Sequence, residues 1–69
     1  MRLSARNQLT GTVSSIELGA VMATVTINLD GGQEVVASIT KDSVENLALS
    51  IGDAVTAVIK STEVMVGKE

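Results

Sequence analysis

From Val21 to Leu29 every second residue is apolar: Val21, Ala23, Val25, Ile27 and Leu29. The residues between them, Met22, Thr24, Thr26 and Asn28, are mostly polar. A period of two sends neighbouring side chains to opposite faces, so Ala20 to Asp30 reads as a half-buried strand. Asp30-Gly31-Gly32-Gln33 follows, and the two glycines can adopt the positive φ angles of a tight hairpin turn. Alternation then resumes, with Val35, Ala37 and Ile39 on one face and Val36, Ser38 and Thr40 on the other. The spacing predicts an antiparallel hairpin.

The flanking segments extend the pattern. A first strand is expected over Leu3 to Leu18. Leu9, Gly11 and Val13 share one parity and Ile16 and Leu18 the other, so a β-bulge near Ser14-Ser15 is expected. Glu17-Leu18-Gly19-Ala20 reads as a turn. Thr40 to Leu49 breaks the alternation, with Val44, Leu47 and Ala48 at i, i+3 and i+4, and Thr40 or Asp42 is suited to cap a helix of about two turns. Val55, Ala57 and Ile59 mark a fourth strand. Val64-Met65-Val66 marks a short fifth, with a loose tail beyond. The predicted fold is all-β: a five-stranded OB-like Greek-key barrel with one short helix between strands three and four. An SH3-like barrel is the alternative. Residues 1–69 form one domain.

Size makes a lone subunit a poor candidate for stability. A chain of 69 residues buries only about 60% of its unfolded surface. It has no Cys for disulfides and no Phe, Tyr or Trp to fill a core. Association is the remaining staple. Met22, Val36, Ala54 and Val58 are apolar on faces that would otherwise meet water, which points to a homo-oligomer.

The same absences narrow function. Without His or Cys there is no Cys/His zinc site and no Ser-His-Asp triad. No carboxylates form a recognisable acid/base pair, so an enzyme is not expected. Zero aromatics and a net charge of -3 argue against nucleic acid as a partner. No apolar run approaches the ~20 residues that span a bilayer. Residues 1–8 lack a signal peptide's apolar stretch, so a cytoplasmic protein is expected.

Five cationic residues remain: Arg2, Arg6, Lys41, Lys60 and Lys68. Three lie beside hydroxyls, in Ser4-Ala5-Arg6, Thr40-Lys41-Asp42-Ser43 and Lys60-Ser61-Thr62. The cations and hydroxyls all donate hydrogen bonds, whereas Asp42 only accepts and would have to point away from a bound anion. A tetrahedral dianion such as sulfate, molybdate or tungstate only accepts them, and needs several donors, compensating positive charge and no carboxylate nearby. Each cluster also has an ordinary reading: surface decoration of a strand, helix capping, or a solvated strand end. Local spacing does not say whether they converge, so the residues by themselves lead only as far as an oxyanion binder.

Ser4-Ala5-Arg6-Asn7-Gln8-Leu9, with Gly11 and Val13, then Gly31-Gly32, Ile39-Thr40, Ser43 and Leu47, and finally Val58-Ile59-Lys60-Ser61-Thr62-Glu63-Val64-Met65-Val66, together resemble the Mop family of molybdate-binding proteins, the molbindins. The resemblance spans nearly the whole chain. It implies an OB-like barrel that binds and stores or buffers molybdate in the cytoplasm, with tungstate competing. It implies a homo-oligomer, a hexamer built as a trimer of dimers, with oxyanions held between subunits. The binding residues it implies are Ser4, Ala5 and Arg6 from one subunit and Thr40, Ser43, Lys60 and Ser61 from its neighbour. No catalytic cofactor and no direct protein ligand to bare metal are implied; molybdenum enters as the oxyanion. An oxyanion-sensing regulatory module acting on a protein partner is the alternative function.

Overall fold

The computed structural model describes all residues, Met1–Glu69. In chain order the elements are β1 (Asn7–Leu18), β2 (Met22–Leu29), β3 (Glu34–Thr40), α1 (Lys41–Asn46), β4 (Ala54–Ile59) and a 3-10 turn, Ser61–Glu63. The strands make one curled antiparallel sheet in the order β3-β2-β1-β4.

β1 holds the sheet together by serving two partners. Its first half, Asn7 to Thr12, pairs with β4, and its second, Gly11 to Leu18, pairs with β2. The register shifts between Val13 and Ser15, where the change of parity predicts a bulge. The extra residue, Ser14, turns its hydroxyl onto the Thr26 carbonyl at 3.2 Å. A bulge bends and twists a strand, which lets one strand bound both sides of a curled sheet. Gly11 lies where the two pairings overlap. A Cβ there would collide with the Asn28 carbonyl and the Ile27 side chain.

The core is the set of inward residues that alternation selects: Val13, Ala23, Val25, Ile27 and Ala57, joined by Val44 from α1. α1 is shorter than expected, six residues in place of the Thr40 to Leu49 segment. Its start is as predicted, with Thr40 as the N-cap and its hydroxyl accepting the Ser43 N–H at 3.1 Å. Its end is a Schellman arrangement. The Leu49 N–H donates to the Val44 carbonyl at 3.1 Å and the Ala48 N–H to the Glu45 carbonyl at 3.0 Å. Ala48 takes the left-handed conformation this demands, with φ of 50°.

The β2–β3 hairpin forms as predicted, with a different loop. Of the two glycines only Gly32 has positive φ, 97°. The Gly32 N–H donates to the Leu29 carbonyl at 2.9 Å and the Leu29 N–H to the Gln33 carbonyl at 2.7 Å. This is a three-residue loop, with glycine needed only at its last position. Thr10 donates to the Asp30 carboxylate at 2.6 Å and ties the loop to β1.

Two strand expectations are corrected. β1 begins at Asn7, not Leu3, because its pairing with β4 ends at Asn7 opposite Ile59. The predicted fifth strand is absent, leaving four strands. The chain leaves β4 through the 3-10 turn and then meets no strand, so Val64, Met65 and Val66 are 51%, 93% and 94% exposed. An extended apolar triplet becomes a strand only beside an edge that can pair with it. β3 and β4 stay unpaired on their outer sides. Between them lies an open groove lined by Ala37, Ile39, Leu49, Val55 and Ala57 among others.

Candidate oxyanion-binding site

The β1–β4 ladder decides where the cationic residues go. Asn7 is the last residue of β1 paired with β4, and Ile59 is its partner. The next residue outward on each strand is a cation, Arg6 on one and Lys60 on the other. An antiparallel ladder therefore delivers both to the same end of the sheet. They share a concavity of about 370 Å³ lined by Ser4, Ala5, Arg6, Lys60, Ser61 and Thr62.

This lining combines two positive side chains with three hydroxyls and contains no carboxylate. Glu63, the next acidic residue along the chain, does not line it. Two backbone acceptors near the concavity are already engaged. The Gln8 side-chain amide donates to the Ala5 carbonyl at 2.7 Å. The Glu63 N–H donates to the Lys60 carbonyl at 2.9 Å, closing the 3-10 turn. The Ser4, Ser61 and Thr62 hydroxyls make no side-chain hydrogen bond within the chain. Chemically this is a surface of free donors with surplus positive charge, suited to an acceptor-only dianion.

Of the expected site residues, the structure brings together Ser4, Ala5, Arg6, Lys60 and Ser61. Within one chain, strand pairing sets the first three beside the last two. Thr40 and Ser43 lie apart, at the start of α1. Their hydroxyl oxygens are 2.8 Å from each other, and Thr40 Oγ1 also accepts the Ser43 N–H. One hydroxyl proton is used in the mutual bond, so the pair has a single O–H left to offer. Thr62 is the lining residue absent from the expected set. Its signal was its place in the Lys60-Ser61-Thr62 run. No group of three or more His, Cys, Asp or Glu is placed to hold a bare metal ion, and no helix is long and apolar enough to cross a membrane.

Known proteins resemble the chain over nearly its whole length. The model of the TOBE domain matches residues 3–66. Molybdenum-pterin-binding protein 3 of Clostridium pasteurianum is 47% identical over 66 residues, covering 96% of this chain and 97% of the relative. The molybdenum transport protein ModE of Herbaspirillum seropedicae is 50% identical over 64 residues. That match covers 93% of this chain but only 24% of ModE, so the chain spans about a quarter of that relative's length. Among solved structures, a molybdate-binding protein from Sporomusa ovata superposes with a TM-score of 0.92 at 48% identity, covering 99% of this chain and 100% of the other. The cytoplasmic molybdate-binding protein ModG, with molybdate bound, has a TM-score of 0.84 at 54% identity, over 88% of this chain and 43% of ModG.

Proposed function

The chain belongs to the TOBE-domain family, among its molybdate-binding members, and on that premise we propose that it binds and buffers molybdate in the cytoplasm, without catalysis, as a homo-oligomer. The observation that carries this reading is the carboxylate-free concavity in which Arg6 and Lys60 stand with Ser4, Ser61 and Thr62. Two positive charges offset the two negative charges of molybdate. The hydroxyls and the backbone about Ala5 supply directed donors, and nothing in the lining repels the anion. Tungstate has the same charge and shape and competes. Sulfate has them too, so cavity size is what separates it from molybdate.

Association follows from packing. Only 7 of the 69 residues are buried. The groove between β3 and β4 is apolar and open, and Val64-Met65-Val66 is apolar and uncovered. Seating that triplet of one copy in the groove of another buries both and gives the unpaired edges a partner. In such an assembly Thr40 and Ser43 of a neighbouring copy supply the remaining donor of a shared site. The assembly we propose is a hexamer, a trimer of dimers, as the family resemblance implies. The dianion and the contact then stabilise each other, because the anion binds the assembled form.

One observation favours a second reading. The same module makes up about a quarter of ModE of Herbaspirillum seropedicae, a molybdenum transport protein. A module carried inside a longer chain can sense oxyanion to control a partner. Pull-downs from the native cytosol with and without molybdate separate the readings, since a buffer gains no partner when the anion is added. The reading itself is tested by native mass spectrometry. Oligomers that take up at least one molybdate per subunit are expected; a monomer that takes up none overturns it.

A further inference from the structure

We propose that the Thr62 hydroxyl is a further oxyanion-binding group, donating a hydrogen bond to the bound dianion from the turn that follows β4. This rests on the molybdate reading and deepens it. Lys60, Ser61 and Thr62 all line the concavity, whereas Glu63 does not. The 3-10 turn over Ser61–Glu63, with about three residues per turn, thus adds two donor residues, Ser61 and Thr62, to its N-cap Lys60 and ends its contribution before the carboxylate.

Arg6 and Lys60 are long and exposed, so they supply charge more than position. Fixing an anion's orientation falls to short side chains on defined backbone. Thr62 fits that task, because branching at Cβ leaves its hydroxyl few rotamers. Its hydroxyl is also uncommitted. It makes no side-chain hydrogen bond within the chain, in contrast to Thr10, Ser14, Thr40 and Ser43. Nor does it cap the turn, whose N-cap Lys60 has no side-chain cap bond. Replacing it therefore removes a donor from the concavity and no internal side-chain hydrogen bond.

Calorimetric titration of the assembled protein with sodium molybdate tests this with three variants. Thr62→Val keeps the shape and removes the hydroxyl; Thr62→Ser keeps the hydroxyl and removes the methyl; Ser38→Ala removes an exposed hydroxyl elsewhere, on β3. Loss of one hydrogen bond to a charged group predicts about 10- to 100-fold weaker binding for Thr62→Val. Thr62→Ser is expected within about threefold of the parent and Ser38→Ala unchanged, with the melting of all ligand-free forms unaltered. Undiminished binding by Thr62→Val overturns the assignment, as does an equal loss in Thr62→Ser. A parent protein that takes up no molybdate overturns the oxyanion reading, and this assignment with it.

Discussion

Ala48 is held at φ of 50°, a conformation that crowds the Cβ of any L-residue and that glycine adopts freely. It stays there because the Schellman bonds from Leu49 and Ala48 satisfy carbonyls that α1 would otherwise leave open. Ala48→Gly keeps those bonds and removes the strain. A gain of about 0.5–1 kcal/mol in unfolding free energy is expected, read from denaturant titration. At the proposed site the residues divide by role. Arg6→Ala or Lys60→Ala leaves the dianion half-neutralised, and where assembly buries the pair with the anion each is expected to weaken molybdate binding by on the order of 2–5 kcal/mol, measured by calorimetry. Thr40→Val and Ser43→Ala together remove only one spare donor, so their combined cost is expected to be well below that of either cation. A double variant as damaging as Arg6→Ala would contradict the proton accounting at α1.

At the scale of elements, the readable features were those governed by local periodicity. Alternation over 21–29 and 35–39 located the hairpin, a parity change in β1 located its bulge, and Thr40 announced the start of α1. The missed features depend on neighbours distant in sequence. Val64-Met65-Val66 is an apolar run, but β character needs an edge, and this chain brings none to it. The meeting of Arg6 with Lys60 depends on the β1–β4 register, which no pattern within either strand encodes. Composition likewise does not say that Thr40 and Ser43, at the start of α1, stay off the concavity within one chain. The left-handed Ala48 gave no sign either, since alanine is an uncommon residue there. If the triplet is the contact between copies, Val64→Asp with Val66→Asp places charge in an apolar groove. Sedimentation should then show smaller particles; an unchanged mass would exclude the triplet from the interface.

For the whole molecule, few buried residues and the proposed site for a dianion make stability a function of ligand. At molybdate concentrations about 100-fold above Kd, linkage adds about 2.7 kcal/mol per site. For a domain of this size that is an upward shift in Tm on the order of 10 °C, and scanning calorimetry should record it. Because Arg6 and Lys60 are exposed, their attraction for the anion is screened, and the shift should shrink between low salt and about 0.5 M sodium chloride.

The β1–β4 pairing carries a consequence in time. Asn7 meets Ile59, 52 positions later (59 − 7), whereas the β2–β3 hairpin closes across a short loop. Local closure costs less entropy than distant closure, so the hairpin precedes the final zipping of β1 to β4. While the polypeptide is being synthesised, the concavity proposed to hold the oxyanion has only one of its two walls. A nascent chain that has not reached Lys60 lacks the other. At the proposed site, capacity to bind is switched on by completion of the fold.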